Sequence, residues 1–286
     1  MSYLKYFTKS IDETVTKRVS CRTFENKLLD EKHKEELLTF CRTLNRGLWG
    51  EKIDYSLVEC SLDELKKTKM SAFGLFKNVR SFVVAIIDKA NLHHISYGYA
   101  LEHIVLKATE LGIGTCWAGY FDPRVMKDIK VEENQTVPAI ILVGYAAEKR
   151  TLKEIIARFA IRASKRRDWR KLFFHGDFGN PLSKETAGHY AGALEMLRLA
   201  PSAGNTQPWR IVKENDQNIY HFFKRVVNPS YEKHKLHDID IGIAMCHFEL
   251  GAAKNGLDGK WERTDPHLTE LPSKTHYMIT WTHDTI

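Results

Sequence analysis

The feature that most constrains the fold is an internal repeat. Residues 94–117, HISYGYALEHIVLKATELGIGTCW, align without a gap to residues 238–261, DIDIGIAMCHFELGAAKNGLDGKW, at a shift of 144. Ile95/Ile239, Gly98/Gly242, Ala100/Ala244, His103/His247, Leu106/Leu250, Ala108/Ala252, Gly112/Gly256 and Trp117/Trp261 are identical. Each copy sets small and apolar residues at helical spacing, ends in a glycine able to cap the helix, and passes into a strand-like piece. Two buried helices can share composition by chance, but paired His and Trp at one offset favour duplication. A duplicated chain folds as two related halves. His103 and His247 lie on apolar faces and read as core histidines, not ligands.

Short β-branched runs at residues 81–87 and 137–145 read as central strands of the first half, and those at 209–212 and 276–281 play the similar part in the second. Helices are expected over 30–44 and 192–199. Interleaved helices and strands in both halves imply an α+β layered sandwich with a mixed sheet. The basic stretch 148–171 separates the halves and reads as a connecting helix, with Ile155, Ile156 and Phe159 on one side. The halves are therefore set at 1–165 and 166–286.

With 43% hydrophobic and 28% charged residues over 286 positions, the composition is that of a globular protein with a real core. No run of about 18 apolar residues appears, and Met1-Ser2-Tyr3-Leu4-Lys5-Tyr6 has no signal-peptide core, so a cytoplasmic protein without a membrane is expected. Cys21, Cys41, Cys60, Cys116 and Cys246 are odd in number and lack C-x-x-C spacing, which argues against a disulfide framework or a zinc site. The formal charge of +7 invites a nucleic-acid reading. Acids are interleaved through the basic helices, however, and no nucleic-acid-binding motif is visible, so no nucleic-acid partner is expected. A modest basic excess also suits anionic small ligands.

The most distinctive local pattern is Ala200-Pro201-Ser202-Ala203-Gly204-Asn205-Thr206-Gln207-Pro208-Trp209-Arg210. Two prolines and a glycine make this a rigid, irregular turn after a buried helix that Pro201 terminates. Ser202, Asn205 and Gln207 offer neutral donors and acceptors suited to a planar, amide-edged ligand. On the residues alone, the stretch reads equally as an ordinary helix C-terminal turn.

A helix followed by A-P-S-x-x-N-x-Q-P-W resembles the signature of the nitroreductase-like FMN flavoproteins. Their other hallmark, Arg-x-Ser-x-Arg, is matched by Arg18-Val19-Ser20-Cys21-Arg22, before Phe24 and the 30–44 helix. Arg162-Ala163-Ser164-Lys165-Arg166 fits the pentapeptide too and reads as a chance match on a solvated basic helix face. The resemblance covers most of the chain and implies a nitroreductase-like layered α/β/α fold. Family members are typically homodimers that build FMN sites from both subunits. Here Arg18, Ser20 and Arg22 lie in the first half; Pro201, Ser202, Asn205 and Gln207 lie in the second. The first half has no Pro-Ser turn after its helix (Phe40 to Gly47), and Leu172-Phe173-Phe174-His175-Gly176, the expected counterpart of the first motif, has no arginine. The resemblance thus implies a pseudo-dimer in one chain, with one complete FMN site and one degenerate site.

In that reading Arg18, Ser20 and Arg22 hold the FMN phosphate. Lys149 and Arg150, following the strand that ends Gly144-Tyr145, are further phosphate candidates, although Lys149 reads equally as an exposed turn. Trp117 and Gly119 lie in the segment whose backbone amides meet flavin N5. Pro201, Ser202, Asn205 and Gln207 lie against the flavin ring, and residues 70–74 are a further ring-lining candidate. The resemblance implies ping-pong hydride transfer at N5 from NAD(P)H to a nitroaromatic, quinone or related small-molecule acceptor, with no catalytic side chain and no metal. No G-x-G-x-x-G follows a strand, so no Rossmann site for the nicotinamide cofactor is expected. The alternative is an FMN-binding redox sensor or flavin store without efficient turnover. A monomer or weak homo-oligomer is expected.

Overall fold

Helices and strands alternate along the chain as α1 (Ile11–Lys17), α2 (Glu31–Thr43), β1 (Ile53–Glu59), α3 (Leu62–Lys67), β2 (Ser81–Asp88), α4 (His93–Glu110), β3 (Gly114–Ala118), β4 (Gln135–Thr136), β5 (Ile140–Gly144), α5 (Leu152–Ala160), β6 (Phe173–His175), β7 (Asp177–Pro181), α6 (Lys184–Ala187), α7 (Ala191–Leu199), β8 (Trp209–Lys213), β9 (Ile219–Arg225), α8 (Pro229–Lys233), α9 (Leu236–Lys254), β10 (Gly259–Glu262) and β11 (Thr275–His283). The computed structural model describes all residues except 1, 2, 68–74, 91, 127, 216 and 284–286. Two compact units result, a first of Lys17–Ser164 and a second of Met1–Thr16 with Lys165–Ile286. The N-terminal sixteen residues, counted with the first half on sequence, lie in the second unit, where Asp12 pairs with Lys254 at the end of α9.

The first unit's sheet runs β1-β2-β5-β3, each neighbour antiparallel, with β4 added beside β2. Its centre is apolar without alternation because both faces are covered. Phe82, Val84, Cys116, Ala118, Ile140 and Leu142 pack on one face with Cys21, Phe24 and Val125. On α4, Tyr97 donates its hydroxyl to the carbonyls of Ala85 (3.1 Å) and Ala139 (2.5 Å).

The second unit's sheet runs β10-β11-β9-β8-β6-β7, with β6 parallel to β8. Its path β8-β9-β11-β10 repeats β1-β2-β5-β3 strand for strand, with the long helix between second and third strands in both (α4 and α9). Trp117 stands opposite Ile141 and Trp261 opposite Trp281 in the equivalent edge pairs. The helix ends repeat as well. Gly112 (φ 82°) donates to Thr109 and Ile113 to Ala108; Gly256 (φ 70°) donates to Ala253 and Leu257 to Ala252. The same two-bond cap closes both helices at the 144-residue offset. His103 and His247 are fully buried, their Nδ1 atoms 2.8 Å from the Tyr99 carbonyl and 3.1 Å from the Met196 carbonyl.

Two expectations are corrected. The 148–171 stretch is not one helix: α5 stops at Ala160, and Arg162 (φ 50°) turns the chain out of helical geometry. The side chains of Leu152, Ile155, Ile156 and Phe159 on α5 are exposed, Phe159 by 86%. Residues 172–176 also do not take the place of Arg18–Arg22. Ser20 bridges β3, whose equivalent is β10, whereas β6 joins the far side of the sheet at β8. None of the five cysteines is in a disulfide, and no helix among the described residues is long and apolar enough to cross a membrane.

An added Cβ at Gly112 or Gly256 meets nothing within 4 Å, so only backbone strain opposes it. Gly112→Ala and Gly256→Ala should each lower stability by about 1–2 kcal/mol in urea denaturation. Unchanged midpoints would contradict the paired caps.

Candidate functional site

Arg18-Val19-Ser20-Cys21-Arg22 lies extended against β3. Ser20 bridges Thr115 in parallel, and the Cys21 amide donates to the Thr115 carbonyl at 2.8 Å. Extended backbone turns alternate side chains to one side, which groups Arg18, Ser20 and Arg22. Close approach depends on Gly114 and Gly144, which face each other across the β3–β5 pair. A Cβ on Gly114 would stand 3.1 Å from Cys21, and one on Gly144 would stand 2.9 Å from Phe24.

Burial on this segment is inverted. Val19 is 47% exposed, while Arg18 and Arg22 are each 8% exposed. Arg18 Nε and Arg22 Nε and Nη1 are buried without a hydrogen-bond partner among the described residues. Buried charged donors left unsatisfied are costly, unless an anion completes them. Burial pulls the Arg18 pKa below its ordinary value, against the opposing pull of Glu102.

The cluster holds more than the motif. Arg158 Nη1 donates to the Ser20 carbonyl at 3.4 Å, and burial followed by the charges of Arg150 and Arg22 lowers its pKa. Arg150 Nε lies 3.5 Å from Glu154 Oε1. Thr23 Oγ1 donates to Glu154 Oε2 at 2.7 Å and accepts from the Thr151 amide at 3.3 Å, which ties the start of α5 to the motif. Arg158, Glu154 and Thr23 are not among the residues expected from sequence. Their signal is the capping box Thr151-x-x-Glu154 with cations four residues to either side of Glu154. Lys149 is exposed.

Trp117, on β3, donates Nε1 to Glu102 Oε2 at 2.8 Å, and Gly119 follows the strand directly. Residues 70–74 lie outside the described residues. No nucleophile is offered by the nearby thiols: burial pushes the Cys21 pKa up to about 12 and that of Cys116 upward too.

The second unit carries the Pro-Ser turn. Gly204 (φ 55°), Asn205 (φ 56°) and Gln207 (φ 49°) are all left-handed, at a cost of about 1–2 kcal/mol for a residue such as glutamine. Internal bonds hold the turn: Ser202 Oγ accepts from the Gln207 amide at 2.8 Å, and the Ala203 amide donates to Asp240 Oδ1 at 2.9 Å. The amides of Asn205 and Gln207 are engaged by the preceding chain. Asn205 Nδ2 donates to the Lys165 carbonyl at 3.0 Å, and Gln207 Oε1 accepts from the Arg167 amide at 2.7 Å.

The second Arg-x-Ser-x-Arg is not a solvated helix face, which is a further correction. It follows the end of α5, and Arg166 Nη2 donates to the Leu199 carbonyl at 3.0 Å while Nη1 reaches Asn205 Oδ1 at 3.3 Å. It thus satisfies a helix end that Pro201 leaves open.

Asp240 anchors the turn from α9. Burial raises its pKa, with His237 Nδ1 at 3.3 Å pulling the other way. His237 Nε2 accepts from the Asn228 amide at 3.3 Å, so Nδ1 carries the proton toward Asp240. Asp240→Ala should cost about 1–3 kcal/mol in thermal or urea unfolding, because the Ala203 amide loses its buried acceptor. Asp240→Asn keeps an acceptor oxygen and should cost less; equal losses would contradict the anchor.

The sequence matches the family profile described as "Putative TM nitroreductase" over residues 10–252. A comparison with curated protein sequences finds no match. Among solved structures, a "putative nitroreductase" from Thermotoga maritima aligns at 21% identity and TM-score 0.60, over 97% of this chain and 95% of its own, so the fold is shared. A nitroreductase with bound FMN from Desulfitobacterium hafniense aligns at 16% identity and TM-score 0.43, over 50% of this chain and 93% of its own. A nitroreductase with bound FMN from Bacteroides fragilis aligns at 21% identity and TM-score 0.41, over 51% and 92%.

Proposed function

Because the chain belongs to the nitroreductase family matched over residues 10–252, we propose that it is an FMN-dependent oxidoreductase that moves electrons from NAD(P)H to a nitroaromatic, quinone or related small acceptor. The observation that carries this reading is the set of unpartnered guanidinium atoms on the buried Arg18 and Arg22. FMN ends in a dianionic phosphate, which suits permanently charged, geometrically fixed donors. When bound, FMN supplies the two-electron chemistry between nicotinamide donor and acceptor.

The chain's own residues bind and orient. Arg18, Ser20, Arg22 and Arg150 take the phosphate, with Arg158 joining them from α5. Glu154 positions Arg150 and, through Thr23, the motif itself. Trp117 and Gly119 offer backbone donors toward the ring without adding a titrating group. Pro201, Ser202, Asn205 and Gln207 contribute a rigid, neutral edge for the ring, and its left-handed backbone keeps that edge preformed. The Pro-Ser turn occurs once in the chain, so one FMN per chain is the expected occupancy.

Arg18→Ala should weaken FMN binding by about 1.5–3 kcal/mol, roughly 10- to 150-fold, in a fluorescence titration. Arg162→Ala, an exposed charge in the second copy of the pentapeptide, should leave binding within about twofold. Equal losses in both variants would contradict the phosphate assignment. NAD(P)H oxidation with an added nitro or quinone acceptor tests turnover; bound flavin with no oxidation would favour a sensor or store instead.

A further inference from the structure

The second unit contains a cavity of about 460 Å³ lined by Arg167, Arg210, Arg225, Val226, Val227, Ser273 and Lys274. Four of these seven residues are cationic and none is acidic. Four chain segments supply them. Arg210 lies on β8, and Arg225 ends β9, its amide donating to the Pro208 carbonyl at 2.8 Å. Lys274, at φ 60°, precedes β11 and accepts from the Val226 amide at 2.8 Å. Arg167 is held by donating Nε and Nη2 to the Thr206 carbonyl, each at 3.2 Å.

Adjacent residues on β9 show what is missing. Lys224 Nζ lies 2.8 Å from Glu232 and 2.5 Å from Asp238, so its buried charge is neutralised twice. Arg225 and Lys274 have no carboxylate partner among the described residues. Arg210 is 5% exposed, and its Nη1 is spent on the carbonyls of Gln207 (3.0 Å) and Trp209 (2.5 Å). Its other nitrogens have no hydrogen-bond partner among the described residues. Burial, together with the charges of Arg167 and Arg225, brings the Arg210 pKa down to about 9, so it remains cationic at neutral pH.

We propose that Arg167, Arg210, Arg225 and Lys274 form a phosphate-binding site in the second unit, separate from the arginine set around Arg18. Converging cations suit a tetrahedral dianion with three accessible oxygens better than a two-oxygen carboxylate. The volume exceeds that of the anion alone, and Val226 and Val227 supply an apolar wall, so the ligand is a phosphate ester with an organic remainder. Arg167 and Arg210 grip the carbonyls of Thr206 and Gln207, which couples occupancy to the Pro-Ser turn.

The test is calorimetric titration of the full chain, saturated with FMN so that the arginine set around Arg18 is occupied, with inorganic phosphate at fixed ionic strength, on wild type, Arg225→Gln, Arg167→Gln and Arg18→Ala. Arg225 is exposed at a strand end, so its variant should keep wild-type circular dichroism and melting. Phosphate affinity should fall at least about tenfold in Arg225→Gln and Arg167→Gln and hold in Arg18→Ala. Unchanged affinity in the first two, a loss only in Arg18→Ala, or equal heats from chloride would overturn the site. If the KM for NADPH rises in Arg225→Gln while that for NADH does not, the phosphate is the nucleotide's 2′ group. If neither KM moves while phosphate binding is lost, it belongs to another phosphate ester. Protein that retains no flavin after saturation with FMN but still binds phosphate here would sink the flavin reading and leave this site standing.

Discussion

Burying the guanidinium groups of Arg18 and Arg22 with donors left unpaired is the constraint on which the first unit is organised. Arg18 and Arg22 are drawn under the surface because residues 20–24 must lie against the β3–β5 edge, and that approach is possible only over Gly114 and Gly144. Thr23 then pins Glu154, Glu154 orders Arg150, and α5 brings Arg158 to the Ser20 carbonyl. Arg150 and Arg158 add positive charge to a segment that already carries unpaired donors, and the Glu154 carboxylate offsets part of it. Such an arrangement costs stability in isolation, and an anion binding there would repay it.

The second unit solves a related problem differently. Its strand path and helix cap repeat those of the first unit, so the same backbone plan serves both. At its own sheet end it sets strained left-handed residues in the Pro-Ser turn and surrounds them with arginines from the 165–167 segment. Duplication preserved the frame, namely a long buried helix closed by glycine and followed by an edge strand. The polar equipment differs between the copies: Trp117 reaches Glu102, but Trp261 reaches Glu249, which is not its equivalent under the 144-residue shift.

The frame was legible because it rests on periodicity and on residues with one backbone role. Gly112 and Gly256 marked both helix ends, and the apolar runs marked β2, β5, β8 and β11. What sequence spacing does not carry is which side chains meet through tertiary contact. Arg158 and Glu154 were hidden in a basic stretch, since a helix of nine residues and a uniform helix of more than twenty show the same local charge pattern. Arg166 looked solvated because its acceptor, the Leu199 carbonyl, lies 33 positions away. The counterpart of the first motif was sought at 172–176 by order along the chain, whereas strand pairing put that segment at the other side of the sheet.

The central proposal is that this chain carries one flavin site. The measurement that tests it most directly is flavin released per chain, with the purified protein denatured and free FMN quantified by absorbance against protein concentration. One FMN per chain is the predicted result. Close to two, or no flavin in protein saturated with FMN before gel filtration, would contradict the account.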